Sequence, residues 1–338
     1  MTELLCWGHG QDERGAAKDS ATRIFFMAAY PFGFARRPCY ASSEDPHMNE
    51  QPIDRNREEF EDAARVLRPK LHRYCARMAG SSIDGEDIVQ ETLLKAMLAY
   101  ERGTTVDSLE AWLFRIAHNT ALDFLRKRVR LEALSTTEQD IDIADPTDEV
   151  ARHENAAIGL RPFMKLSPAE RSSVILMDVV GYSLREIGDI MGTTIPAIKA
   201  SLHRGRARLA MLQDAAETEE TLLNREEQAR LERYVELFNA RDFDTVRDML
   251  AEDARLDLVA RQSLVGKPFV GKYFTKYGGR DGWRLAVGRV DGRPAVLSHE
   301  NNSPTPTNFI LLDWRGGRIV RIRDFYFAPY VTEAAEIG

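Results

Sequence analysis

LSPAERSSVILMDVVGYSLREIGDIMGTTIPAIKASLHRGRARL, residues 166–209, is the stretch whose reading decides what kind of molecule this is. Its spacing predicts a helix-turn-helix. Ser183 can cap a short helix that carries Leu184, Ile187, Ile190 and Met191 on one face. Gly192 ends that helix in a tight turn. Thr194 can cap a second helix, with Pro196 in its first turn, where the missing N–H has no intrahelical partner to lose. In the second helix Ile195, Ile198, Leu202 and Leu209 recur at helical spacing and are expected to face the core. Lys199, His203, Arg204, Arg206 and Arg208 fall on other faces, with no acid among them. Such a helix suits the DNA major groove: the apolar stripe docks it, and the cations meet phosphates and base edges. A basic helix alone could equally be ordinary solvated surface; the preceding helix and the glycine turn weigh against that.

The same stretch resembles region four of the extracytoplasmic-function (ECF) sigma factors, which in that family reads the minus-thirty-five promoter element. The resemblance implies that Thr194, Lys199, His203, Arg204 and Arg206 contact the upstream element. It has departures. The family often has a Ser–Arg pair where Ala200 and Ser201 stand, and Ala where Gly205 stands, so no promoter sequence follows.

Upstream, residues 55–130 are helical in pattern. Phe60, Leu67, Leu71 and Tyr74 give one amphipathic segment. In EDIVQETLLKAMLAY, Ile88, Thr92 and Ala96, with Leu93, Met97 and Tyr100, form an inward stripe, while Asp87, Gln90, Glu91 and Leu94 share another face. That face is either solvated or a docking surface. SLEAWLFRIAHNTALDFLRKRVR carries Trp112, Phe114, Ile116 and Phe124 and ends in Arg126, Lys127, Arg128 and Arg130. Cations in a last turn also suit the helix dipole, but aromatics interleaved with cations are the composition that stacks single-stranded bases. Core packing is the commoner role for Trp112.

These helices resemble region two of the same family, and the resemblance over 55–210 implies roles by position. Asp87, Gln90 and Glu91 would contact the clamp helices of core RNA polymerase. The loop 101–108 would capture a flipped base. Arg115, Asn119, Asp123, Arg126 and Lys127 would line the DNA face at the downstream element. Between the two modules, residues 131–158 are rich in Asp and Glu and read as a flexible acidic linker that holds the modules apart. Residues 1–47 do not look like a domain and are expected to be a disordered extension. Their apolar run RIFFMAAYPFGFA is short and broken by Pro31 and Gly33.

After another acidic stretch comes a third unit, 225–332. ARLERYVELFNARDFDTVRDML predicts two helices with Leu231, Tyr234, Val235 and Phe238 inward, ARLDLV a strand, and KPFVGKYFTKY a short helix. RLAVGRV-DGRP-AVLSHE reads as a hairpin turning at Asp291 and Gly292, and NFILLDW-RGG-RIVRIRDFYF as a second. Helices followed by antiparallel strands with mostly local connections make an α+β domain. It resembles the SnoaL-like family, whose cone-shaped fold encloses a pocket. Val320, Ile322, Asp324 and Tyr326 fall on one strand face with Arg321 and Arg323 opposite, and His299 shares a face with Ala295 and Leu297. Tyr234, Phe238, His299, Asp324 and Tyr326 are therefore the expected pocket residues, with His299 and Asp324 either an acid/base pair or structural polars.

The formal net charge of −7 is unusual for a free-standing DNA binder and points to duplex binding that depends on a larger partner. Cys6, Cys39 and Cys75 show neither metal-ligand spacing nor a paired framework, which fits reduced thiols in a cytoplasm. The reading is thus multidomain: two all-α sigma modules, the second a helix-turn-helix, and a C-terminal α+β cone. The expected partners are core RNA polymerase, promoter DNA and a small-molecule ligand of the last domain, with no cofactor, metal, membrane or catalysis. The rivals are a SnoaL-like cyclase or isomerase tethered to DNA-binding helices, and a repressor or activator that works without polymerase.

Overall fold

The computed structural model describes residues 52–104, 106–135, 159–212, 225–278, 282–301 and 303–338. The expected extension at 1–47 and the linker between 136 and 158 lie outside the described residues. Three long helices make the first module: α1 (Pro52–Ala79), α2 (Ser82–Glu101) and α3 (Leu109–Ser135). Helix α3 runs five residues past the linker boundary expected at 131. The Ser81 hydroxyl accepts the Asp84 N–H and starts α2. Gly85 lets α1 and α2 touch, since a Cβ there would lie 2.5 Å from the Ala76 backbone. Ile88, Thr92 and Ala96 face inward as the spacing predicts, with Leu93, Met97 and Tyr100 packed against that core.

The second module is α4 (Pro168–Val174), continued by a wider helical turn over Ile175–Val180, then α5 (Leu184–Met191) and α6 (Ile195–Leu212). Ser183 and Glu186 cap α5 reciprocally, and Gly192 leaves it at φ +64. Ile187, Ile190, Ile198, Leu202 and Leu209 are buried. Ile195, expected inward, is 43% exposed: it opens α6 before the helix reaches its neighbours. Gly205 is where α6 crosses α4; a Cβ there would meet Val174 Cγ2 at 2.7 Å.

The two modules were expected to stand apart. Instead one apolar core runs through both, from Phe60 to Leu209, and the Tyr74, Phe114 and Tyr182 rings meet edge-on across it. Phe114 is fully buried there and is not a base-stacking surface.

The last third is an α+β domain: α7 (Arg225–Asn239), α8 (Phe243–Asp248), β1 (Leu250–Leu258), β2 (Gln262–Val265), α9 (Lys267–Gly278), β3 (Trp283–Val290), β4 (Arg293–Glu300), β5 (Asn308–Arg315), β6 (Arg318–Asp324) and α10 (Pro329–Ala334). The sheet order is β2-β1-β6-β5-β4-β3, antiparallel except where β1 lies parallel to β6. Both expected hairpins form, the first turning at Asp291 (φ +51) and Gly292 (φ +78). The long-range β1–β6 pairing departs from the expected local connections.

Both faces of this sheet are covered. Val296, Ile310 and Ile322 pack with α7, α8 and α9. Ala295, Leu297, Phe309, Leu311 and Phe325 form a second core with Val331 of α10 and with Ile83 of α2. The third domain is thus seated on the first module.

Candidate functional site

Of the cations expected to meet DNA, only part of the set faces outward. Lys199 is exposed, His203 half-buried and Thr194 exposed. Arg204 donates from Nε to Glu170 Oε1 at 3.1 Å, and Arg208 reaches the other oxygen of the same carboxylate at 3.0 Å. Arg206, expected to meet DNA, points inward instead. It is 9% exposed, and its Nε and Nη2 donate to both oxygens of Asp178 at 2.9 and 2.6 Å. It is a strut between α6 and the turn after α4, not a reader of bases. The acids that hold these arginines come from neighbouring elements, so α6 alone gave no sign of them.

On α3, Arg115, Asn119, Asp123, Arg126 and Lys127 share an exposed flank. Asp123 and Arg126 pair with each other at 2.9 Å. The Arg115 guanidinium donates to the Asp189 carbonyl of α5 at 3.0 and 2.5 Å, so the helix-turn-helix leans on this flank. Between α3 and the α4–α6 corner runs a groove of about 850 Å³, lined by His118, Leu122, Arg126, Met191 and Ile198 among others. Burial pushes the His118 imidazole down to about 4, with Arg126 adding to the effect.

The α2 surface expected to meet polymerase is where the third domain sits. Asp87 forms an ion pair with Arg323. Gln90 donates to Glu86 at 3.4 Å, and Glu91 pairs with Lys95 at 2.8 Å while staying exposed. Around them are contacts the sequence did not disclose. Asp291, at the tip of the β3–β4 hairpin, inserts its carboxylate at the N-terminus of α2. Its Oδ2 accepts the Ser82 N–H (2.6 Å), the Ser82 hydroxyl (2.7 Å) and the Ser81 hydroxyl (3.0 Å). Its other oxygen accepts the Glu336 N–H at 3.0 Å. An anion at a helix N-terminus meets unpaired N–H groups and the positive end of the dipole. Arg293 grips both oxygens of Asp84 at 2.6 and 2.8 Å. Glu86, fully buried, pairs with Arg68 and accepts the Tyr330 hydroxyl at 3.0 Å. Arg161, ahead of α4, pairs with Glu336 at 3.0 Å, so the third domain holds both helical modules.

Inside the third domain a pocket of about 530 Å³ is lined by Leu258, Arg261, Tyr273, Tyr277, Trp283, Asp324, Tyr326 and Phe327. Asp324 is 1% exposed. It accepts the Tyr273 hydroxyl at 2.8 Å, the Tyr326 N–H at 2.9 Å and the Asn308 amide at 3.1 Å. Burial pushes its carboxyl above the usual range, and those donors pull partly against it. Two of the five expected pocket residues, Asp324 and Tyr326, line it. Tyr234 and Phe238 are buried behind it in the core. His299 belongs elsewhere: it continues the face of Ala295 and Leu297 that turns toward α2, and its Nδ1 lies 3.0 Å from the Ser303 carbonyl. No His299–Asp324 acid/base pair forms, because the two sit on opposite faces of one sheet. Tyr273, Tyr277 and Trp283 were the unforeseen members, on a helix and a strand whose apolar spacing reads as plain core.

The helical geometry corresponds to known modules. Residues 64–131 match the model described as Sigma-70 region 2, and residues 163–209 the model described as Sigma-70, region 4. These define a sigma-70-type protein. An ECF RNA polymerase sigma factor of Mycobacterium tuberculosis, SigG, is 32% identical over 232 residues, which cover 60% of this chain and 62% of that protein. The chain therefore spans about three fifths of that relative. The RNA polymerase sigma factor CarQ of Myxococcus xanthus is 31% identical over 166 residues, which cover 47% of this chain and 92% of CarQ. The chain belongs to the ECF sigma factor family. A solved structure of a ketosteroid isomerase homologue from Kribbella flavida covers 29% of this chain and 75% of its own, at 19% identity and a TM-score of 0.24. No helix among the described residues is long and apolar enough to cross a membrane.

Proposed function

We propose that this chain is a promoter-recognition subunit of RNA polymerase whose own last domain holds it in a closed, non-engaging form. It would act in the cytoplasm on core polymerase and promoter DNA, without turning over a substrate itself. Lys199, His203 and Thr194 would serve the upstream element; Asn119, Asp123, Arg126 and Lys127, with the loop 101–108, the downstream one. The observation that carries the closed form is the seating of Asp291, Arg293 and Arg323 on the N-terminal half of α2. There they occupy Asp84, Asp87 and the helix N-terminus. A second helix packed on that surface would have to displace them.

Two further features agree. Arg115 is engaged by α5, and the two DNA-facing modules share one core, which is incompatible with gripping two separated promoter elements at once. Run-off transcription with sigma-free core polymerase tests the reading. The Arg293→Glu and Arg323→Glu variants should initiate more strongly than the parent chain at limiting concentration. Equal or weaker initiation by both would remove the autoinhibitory role and leave a domain that merely stiffens the chain.

A further inference from the structure

Strand β6 ends at the pocket, and its last residues, with the two that follow it, alternate between the pocket and the seat on α2. Asp324 and Tyr326 line the pocket. Arg323 and Phe325, their neighbours, pair with Asp87 and pack in the core that holds Ile83. Beyond them Tyr330 bonds to Glu86 and Arg68. Two residues belong to both sides. Arg261 and Phe327 line the pocket, and they also line a groove of about 510 Å³ against Phe60, Ala64, Arg68 and Met97 of α1 and α2. The Arg261 guanidinium lies over the Phe327 ring at 4.2 Å, and among the described residues it pairs with no carboxylate.

The pocket has a definite chemistry from end to end. Its inner end is a chain of hydroxyls on an acid: Tyr277 donates to Tyr273 at 3.0 Å, and Tyr273 donates to Asp324. The Tyr234 hydroxyl, fully buried and without a hydrogen-bond partner, lies close enough to feel Tyr277 and Asp324. A hydroxyl can join such a chain as donor or acceptor, whereas an anion would meet the Asp324 carboxylate. The walls are aromatic: Trp283 meets Tyr277 edge-on at 5.1 Å and lies tilted against Tyr326 at 5.6 Å, with Phe327 beyond. Rings packed this way accept another ring in preference to a flexible chain. The one cation that lines the pocket, Arg261, is exposed and suits a carboxylate.

We propose that the pocket is a receptor site for a small planar ring compound with a hydroxyl at one end and a carboxylate at the other, and that filling it loosens the seat on α2. The carboxylate draws Arg261 off Phe327, and the ring presses on Tyr326 and Phe327 in the turn that follows β6, just beyond Arg323 and Phe325, which grip Asp87 and pack by Ile83. This rests on the closed form argued above.

The probe is 4-hydroxybenzoate, with phenol and benzoate as versions that each lack one end. Binding to the full chain is measured by calorimetry, and amide hydrogen exchange is followed over residues 82–90. The hydroxybenzoate should bind at least tenfold more tightly than either control. Arg261→Gln, at an exposed position that spares the fold, should cancel its advantage over phenol; Tyr277→Phe should cancel its advantage over benzoate. Exchange over 82–90 should quicken severalfold when the probe is bound. No preference among the three compounds, or binding that leaves 82–90 unchanged, overturns the inference. If 82–90 already exchange freely without any probe, it is the closed form itself that fails.

Discussion

Replacing Asp291 with asparagine is the most incisive perturbation of the closed form, because it changes the charge while sparing the turn. Asp291 sits at φ +51 in a two-residue hairpin turn before Gly292, a position that asparagine tolerates as readily as aspartate. Alanine there would add backbone strain and confuse the result. The carboxylate satisfies donors on two sides, 81–82 through Oδ2 and the Glu336 N–H through Oδ1. An amide can offer an oxygen to only one side; its NH2 must then face a donor on the other. The lost charge also forfeits the dipole interaction, about 0.3–1 kcal/mol at a helix N-terminus. Hydrogen bonds to a charged group contribute about 1.5–3 kcal/mol where neutral ones give about 0.5–1.5. The net effect is a docking equilibrium weakened by roughly 2 kcal/mol, or about 30-fold. If polymerase binds only the open form, apparent affinity scales with the open fraction, so Asp291→Asn should tighten core-polymerase binding by up to about 30-fold until the open form dominates. Fluorescence anisotropy of labelled chain titrated with core enzyme reads this directly. Unchanged or weaker binding, with amide exchange over 82–84 raised to show that the seat had opened, would refute the claim that the seat competes with polymerase.

Three other outcomes follow from the same geometry. Exchanging the partners of the Asp87–Arg323 pair should restore the exchange protection of α2 that either single charge reversal lowers, a double-mutant comparison that isolates the pair from packing. Arg206→Ala should lower thermal stability, because it removes the bidentate guanidinium from the Asp178 carboxylate, whose side chain is 1% exposed. The cost is about 3 kcal/mol, read by denaturant melts, while Lys199→Ala should leave stability unchanged and instead reduce promoter binding and its salt slope. His118 is 5% exposed, and burial lowers its imidazole from the ordinary 6.5 to about 4, so the unfolded chain binds the extra proton first as pH falls. Stability is therefore full above pH 6.5 and is lost toward pH 4 by up to about 3 kcal/mol; His118→Asn should flatten that slope in urea melts run across this range.

What could be read from sequence divides along a physical line. Local chemistry was legible. The Ser183 cap, Gly192 beyond α5 and the Asp291–Gly292 turn each act within a few residues, and all appear where the spacing put them. Pairings between distant elements were not. Arg204, Arg206 and Arg208 look like free cations on α6 because Glu170 and Asp178 approach only after α4 folds back. The second buried face of the sheet did leave a trace. AVL in β4 and FILL in β5 are unbroken apolar runs, which fit strands covered on both sides better than a one-sided antiparallel sheet. Reading those runs as two-faced would have put His299 and Asp324 on opposite sides, since they stand on strands whose neighbours alternate out of phase. Glu86 was hidden for another reason. A charged residue in a polar helical face gives no sign that a tyrosine from residue 330 will bury it.

The composition of the seat bears on how it could open. Its apolar part is small, a cluster around Ile83, Phe309 and Phe325, and its polar contacts are borne by residues with an alternative when the domains part. Glu86 keeps Arg68, its partner within the first module, so release of Tyr330 strands no buried charge. Asp84, Arg293 and Asp291 return to water, and the Ser81 hydroxyl still accepts the Asp84 N–H to hold the first turn of α2. The helical part, with its one shared core, and the third domain therefore each keep their packing and caps on either side of the break. Separation is then a rigid-body step rather than an unfolding, and its cost is set by the few contacts that cross the seat. An interface glued mainly by apolar area would lock; one made of charge-assisted bonds around a modest apolar patch can be tipped by the loss of a single carboxylate, or by the arrival of polymerase.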